Sequence, residues 1–257
     1  MRITLLQRPG RIDAKEFAAA LERELSLLKG DLSASTSLLG FSKMGWTIVD
    51  VAGDDSEIVS ELITRKLGLA QTDVSGVERL GNYDGVVAGK TEGNLVIDIG
   101  LENPRPITVK VKLGSLRAQL CDGKALSMEE ITEHYCLFPS TKVAVRITDL
   151  EPESGLAEGW LADSQLDQFT NWISMRLDRI QVFDCSAREV EAAIRKANLE
   201  RDIVSVEQMT LITHLVICKL GTDAIGLMPK LGSVLRRREL KPFIPRRIVS
   251  RCTQWRI

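Results

Sequence analysis

The order of apolar runs between Tyr83 and Leu161 constrains the fold more than any other feature of this chain. Asp84–Ala88, Leu95–Ile99 and Ile107–Leu113 are short β-branched runs separated by Gly, Asn and Pro, which predicts three strands in a meander. Ser127, followed three residues later by Glu130, is a capping-box pattern that opens a short helix ending near Tyr135. Lys142–Thr148 then alternates apolar and polar residues as a fourth strand, and Glu158–Leu161 supplies a fifth.

Three strands, a helix and two strands is the order of the OB-type barrel, a partly open scaffold whose outer face commonly carries nucleic acid or sugar. Other small barrels also fit this order. In the third run, the period of two puts Ile107, Val109, Val111 and Leu113 inside and Thr108, Lys110 and Lys112 outside. With Lys90, Arg105 and Arg117 near the strand ends, this face has the charge to follow a phosphate backbone. A solvated lysine face explains the same pattern equally well, because exposed lysine is normal. The first three strands contain no aromatic residue, which argues against base stacking there.

On either side lie α/β segments. Arg2–Leu6 reads as a strand, and Asp13 with Glu16 opens a helix with Phe17, Leu21, Leu25 and Leu28 on one stripe. Asp31–Ser42 reads as a serine-rich loop, Trp46–Val51 as a strand, Ser56–Leu67 as a helix and Val74–Leu80 as a strand. Beyond the barrel, an amphipathic helix over Ser164–Leu177 precedes strand, helix and strand at Arg179–Phe183, Ala187–Asn198 and Ile203–Met209, with His214–Leu220 as a hairpin partner. Ile48–Asp50, Ile63–Lys66 and Val74–Glu78 answer to Val182–Asp184, Ile194–Lys196 and Val204–Glu207, which predicts an internal duplication. Any two amphipathic βαβ units share some of this likeness.

Chemistry-bearing motifs are few. Gly89-Lys-Thr91 ends like a P-loop, but Asp84 stands where the first glycine belongs and a strand follows, so nucleoside triphosphate hydrolysis is rejected. Gly221, Gly226 and Gly232, flanked by Lys219 and Lys230, offer backbone amides and ammonium groups to a phosphate, although turns need glycine anyway. Cys121, His134 and Cys136 lack zinc-site spacing, so no metal or other cofactor is expected. The other cysteines, Cys185, Cys218 and Cys252, form no C-x-x-C pair, which suits reduced core thiols. Asp50 and Asp184 fit helix capping better than acid–base roles, and no catalytic motif is present. With no membrane-span run and a polar start, the reading is a cytoplasmic protein.

Charge is distributed unevenly. The net charge is −1, yet residues 234–257 carry +7 and the remainder −8. Arg236, Arg237, Arg238, Lys241, Arg246, Arg247, Arg251 and Arg256, interleaved with Phe243 and Trp255, offer guanidinium forks for phosphates and aromatic faces for bases. The composition suits a mobile arm that orders on binding, or a tail that neutralises an acidic body.

Asp84–Gly89, Val96–Pro104 and the run His214–Gly232 resemble an uncharacterised archaeal family, domain of unknown function 2110. That resemblance implies an archaeal cytoplasmic protein and no catalytic residues. Gly85–Val87 to Val145–Ile147 is similar to the RNA-binding barrels repeated in the largest small-subunit ribosomal protein, with Leu95 where an aromatic residue is usual.

The expected architecture is α+β, a central OB-like β-barrel flanked by two similar ferredoxin-like or related βαβ segments. It divides into an N-terminal α/β domain (1–82), the barrel (83–162), a C-terminal α/β domain (163–233) and an arginine-rich segment (234–257). The expected function is non-enzymatic RNA binding at the ribosome or the transcription apparatus. The site would comprise Lys90, Arg105, Lys110, Lys112, Arg117, Lys219, Lys230, Arg236, Arg237, Arg238, Lys241, Arg246, Arg247, Arg251 and Trp255. The alternatives are a scaffold docking an acidic protein and, third, an RNA-modifying or hydrolytic enzyme with a site assembled from scattered residues.

Overall fold

In the computed structural model, residues 1–236 and 238–252 are described. The five strands read from the sequence close into a barrel: β4 (Asn82–Lys90), β5 (Asn94–Leu101), β6 (Ile107–Lys112), β7 (Lys142–Glu151) and β8 (Leu156–Leu161). They pair in the ring order β4-β5-β6-β8-β7, with β6 and β8 parallel and every other pair antiparallel. A parallel pair cannot be joined by a tight turn, so the chain crosses over through α3 (Leu113–Cys121) and α4 (Met128–His134). The Ser127–Glu130 capping box forms in both directions, with Glu130 N donating to Ser127 Oγ at 3.1 Å and Ser127 N donating to Glu130 Oε2 at 2.9 Å. Val109, Val111, Leu95, Ile97, Val145 and Ile147 fill the interior, as the period of two requires.

Both flanking units are ferredoxin-like. The C-terminal one runs β9 (Arg179–Val182), α6 (Ala187–Lys196), β10 (Ile203–Thr210), β11 (Thr213–Cys218), α7 (Ala224–Val234) and β12 (Leu240–Phe243), in an antiparallel sheet ordered β10-β11-β9-β12. The N-terminal one repeats that plan with β1 (Arg2–Leu5), α1 (Ala14–Lys29), β2 (Ala34–Phe41), β3 (Thr47–Gly53) and α2 (Ser56–Leu67), ordered β1-β3-β2. Its fourth strand is reduced to a single antiparallel bridge from Leu69 to the free edge at Leu5. The duplication therefore pairs β1 with β9 and β3 with β11. The sequence match of Ile48–Asp50 with Val182–Asp184 is half a unit out of step, because each split βαβ unit contains two similar strand–helix halves.

Four local expectations change. Asp31–Ser42 is not a loop: β2 is an edge strand, buried on one side at most, so Ser35 and Ser37 can occupy its open positions. Val74–Leu80 is not a strand, because Asp73 Oδ1 accepts from both Ser75 N (2.8 Å) and Ser75 Oγ (2.6 Å) and closes a 3₁₀ turn at Val74–Gly76. The glycine-rich run after Lys219 is largely helix α7, N-capped by Asp223, with Ala224, Leu227 and Leu231 on one buried stripe. Over residues 238–252 the arginine-rich segment is built into the fold rather than forming a loose arm. It supplies β12 and then α8 (Pro245–Arg251), and it buries Phe243, Ile248 and Cys252 completely.

That segment joins the units. Phe243, Ile248 and Cys252 belong to the same apolar core as the barrel interior. So do Phe169 and Trp172 of α5 (Asp163–Ser174). Edge-to-face contacts run from Tyr135 to Phe169 (5.1 Å), to Trp172 (5.8 Å) and to Phe243 (5.3 Å). The buried Arg179 guanidinium lies over Trp172 and donates to the Trp172 and Leu177 carbonyls, at 3.1 and 2.8 Å. On the other side, Leu211 and Ile212 from the β10–β11 turn enter the N-terminal core, and Leu211 N donates to the buried Gln7 Oε1 at 2.8 Å.

The N- and C-terminal units also meet through charge. Arg238 lies 3.2 Å from Glu189 and 3.8 Å from Glu16, and the two carboxyls share a hydrogen bond that pushes Glu16 up to about 7. The same contacts lower Glu189 to about 2, so the latch is complete where Glu189 is ionised and Glu16 protonated, and it weakens as pH rises through about 7 and the folded chain loses the Glu16 proton.

Two outcomes follow from this packing. In thermal unfolding from about pH 5 to about pH 8, the wild type should lose midpoint relative to Glu16→Gln as pH increases; parallel profiles would remove the latch. Phe243→Ala should cost about 3–5 kcal/mol in denaturant unfolding, as deletion of a buried aromatic side chain does.

Candidate nucleic-acid interface

The barrel's outer face is divided by what packs on it. At β4 and β5 it is covered by the N-terminal unit: Val86 packs with Leu6, Trp46 and Ala70, and Arg8, stacked 3.5 Å from the Trp46 ring centroid, binds the buried Asp98. The outward side of β6, β8 and β7 carries the exposed residues. Alternation along these strands places Lys110 and Lys112, then Glu158 and Trp160, then Arg146, on one surface. Register confirms their adjacency, since Lys110 pairs with Glu158 and Arg146 pairs directly with Trp160.

Trp160 is the residue that the sequence reading passed over. Its side chain is 53% exposed, whereas Trp46 and Trp172 are buried. A large exposed indole on a pleated surface, flanked by cations, has the form of a stacking platform for bases. The signal was present in Leu156–Leu161, whose alternation sends Ala157, Gly159 and Leu161 in and Trp160 out. Attention to the first three strands alone hid it.

The charges around the indole differ in availability. Lys110 is exposed and has no ion pair among the described residues. Lys112 Nζ is 2.6 Å from Glu158 Oε2, and Arg146 is shared between Asn82 Oδ1 (3.2 Å) and Asp163 (3.5 Å). These are solvent-exposed pairs of low individual strength, which a phosphate can replace.

The remaining expected site residues do not join this surface in one patch. Lys90 at the end of β4 pairs with Glu129 at 3.0 Å and donates to Thr132 at 3.1 Å. Arg105 donates to the Pro152 carbonyl in the β7–β8 loop at 2.9 Å, and Arg117 to the Leu126 carbonyl at 2.7 Å. Lys219 and Lys230 are exposed on the C-terminal unit.

In the arginine-rich segment four of the six described cations pair with carboxylates of the fold. Arg238 is held by Glu189, Arg246 by Asp223 at 2.8 Å, Arg251 approaches Glu130 at 3.9 Å, and Lys241 binds Glu239 at 3.1 Å while lying over the Phe138 ring. Arg236 and Arg247 are exposed without an ion pair among the described residues. Arg237, Trp255 and Arg256 lie outside the described residues.

The cysteines and one of the two histidines are buried, whereas His134 is half-buried and lines a surface cavity. All five cysteines are buried and unpaired by disulfide, and burial pushes the Cys136 and Cys218 thiols up to about 12. His214 is buried, which lowers it to about 4 and keeps the ring neutral near pH 7. Among the described residues, no group of three His, Cys, Asp or Glu side chains is placed to hold a metal ion. No helix among them is long and apolar enough to cross a membrane.

The fold thus defines an OB-like barrel protein with two ferredoxin-like companions. Residues 177–241, which nearly coincide with the β9–β12 unit, match the family described as DUF2110 C-terminal domain, in agreement with the sequence resemblance. No curated protein matches the chain. Among solved structures, one similar chain comes from the a/eIF2alpha–aDim2p–rRNA complex of Pyrococcus horikoshii OT3, with 9% identity, a TM-score of 0.26, and coverage of 48% of this chain and 64% of that one. Another is the intact alpha subunit of aIF2 from Pyrococcus abyssi, with 9% identity, a TM-score of 0.26, and coverage of 65% of this chain and 97% of that one.

Proposed function

We propose that this protein binds single-stranded RNA, without catalysis, on the β6–β8–β7 face of its barrel. The observation that carries the reading is Trp160, exposed on that face between Arg146 and the Lys110/Lys112 pair. A base stacks on the indole, and the cations neutralise neighbouring phosphates. Lys110 is ready to do so, and Lys112 and Arg146 exchange a carboxylate for a phosphate. Stacking tolerates any base, so affinity rather than sequence choice is the expected property. Arg236, Arg247, Lys219 and Lys230 are further exposed cations on the C-terminal side of the molecule. Association with the ribosome or the transcription apparatus is the setting in which such binding would serve, and the chain's cytoplasmic location is part of the same reading.

Removing residues after Ser233 would strip out β12 and the buried Phe243 and Ile248, so the test uses single substitutions in the full chain. Binding to unstructured RNA is measured by fluorescence anisotropy across a salt series. Trp160→Ala should weaken binding by about 1–3 kcal/mol with little change in salt slope. Lys110→Ala should flatten the slope by roughly 0.7, the loss of one phosphate contact on a single strand. An unchanged affinity in Trp160→Ala, or no binding of the wild type at low salt, would sink the reading. In the latter case capture of one defined protein after nuclease treatment would put the scaffold alternative first.

A further inference from the structure

A cavity of about 720 Å³ opens in the C-terminal half, between the end of α5, the β11–α7 loop and α8. Its size is that of a pocket for a small organic molecule. Its walls are of two kinds. Ile173, Pro245 and Val249 give an aliphatic slot, while Arg176 and Asp178 from the α5–β9 connection, Arg246 from α8 and Asp223 at the start of α7 bring charge to it.

The charged groups are not equivalent. Arg176 is exposed with no ion pair among the described residues, and it occupies the left-handed region at φ 56° just after α5. A non-glycine residue there is strained, so the chain bends at a cost where this guanidinium meets the cavity. Arg246 reaches the cavity from α8 and is held at 2.8 Å by Asp223, the N-cap of α7. Asp178 is buried, and among the described residues its carboxylate accepts one hydrogen bond, from Ala224 N to Oδ2 at 3.2 Å. Burial raises its carboxyl above the ordinary range, which marks a poorly solvated group.

We infer that this cavity binds a nucleoside monophosphate unit, either as a free nucleotide or as the terminal nucleotide of an RNA. Two guanidinium groups at the rim suit a phosphate dianion, which arginine forks bind through paired N–H donors. The aliphatic slot takes the flat base, and the Asp178 carboxylate accepts an N–H from the base or an O–H from the ribose. A simple inorganic anion would leave the slot empty and Asp178 facing a like charge. A neutral apolar ligand would leave both arginines without an anion. This site is separate from the barrel face and stands without the stacking role of Trp160.

The test is calorimetric titration of the full chain with AMP, GMP, CMP and UMP, and with adenosine, ribose 5-phosphate and inorganic phosphate as controls. Nucleotides should bind saturably, and adenosine and phosphate at least about tenfold more weakly, since each lacks one half of the recognition. Arg176→Gly is the informative variant, because glycine relieves the positive φ and removes the guanidinium together. It should keep or raise thermal stability while weakening nucleotide binding at least about tenfold, and Arg246→Gln should weaken it similarly. Competition by an RNA with a terminal phosphate, measured in a Trp160→Ala background, identifies an RNA end as the source, and binding of free nucleotide alone identifies a small-molecule effector. Absence of saturable nucleotide binding, equal binding of inorganic phosphate, or full binding by Arg176→Gly would each overturn the assignment. None of those results bears on whether Trp160 stacks RNA.

Discussion

The parallel pairing of β6 with β8 is the contact on which the rest of the molecule depends. It closes the ring, and a closed ring has no unpaired strand edge through which another chain could add by backbone hydrogen bonds. Strand addition is therefore closed to a ligand of the barrel, which leaves its outer side chains and its loops. The same pairing forces the α3–α4 crossover, and α4 with α5 provides the aromatic surface that receives the C-terminal strand and helix. Closure thus decides both which surface is left for a ligand and where the flanking units attach.

The two ferredoxin-like units make different uses of one plan. The N-terminal copy covers β4 and β5 through Val86 and Asp98, taking up part of the barrel face. The C-terminal copy completes its sheet with β12 and feeds Phe243 to the barrel core. Much of the excess positive charge near the end of the chain is consumed in this assembly. Arg238 serves as a counter-ion between the units, and the exposed Arg246 pairs with Asp223 at the start of α7, so part of the basic run is neutralised by carboxylates of the fold.

Much of the fold was legible because it rests on periodicity. Alternation at Ile107–Leu113, the Ser127–Glu130 capping box and the α1 stripe of Phe17, Leu21 and Leu25 report local rules that tertiary packing did not override. The failures share a cause of another kind. β2 has too few apolar residues to announce itself, since an edge strand needs few, and α7 carries Gly226, Pro229 and Gly232 through a helix held by its cap and buried stripe. The barrel face was half legible. Lys110 and Lys112 could be placed outside by counting, but Trp160 gained meaning only when β8 was seen beside β7. The cavity beneath α8 was not legible at all, because Arg176, Asp178 and Arg246 converge only through packing of α5 against α8.

The burial of Phe243, Ile248 and Cys252 in the barrel core has a consequence for how the chain reaches its native state. Residues after position 239 complete a core whose first strand begins at Asn82, so the final packing of the barrel waits for a contact of very long sequence separation. During synthesis the barrel strands emerge well before their last core residues exist. The face of Trp172 that Phe243 covers is then open until β12 docks, which leaves apolar surface on the nascent barrel. The barrel core is thus closed by a segment some eighty residues beyond its last strand.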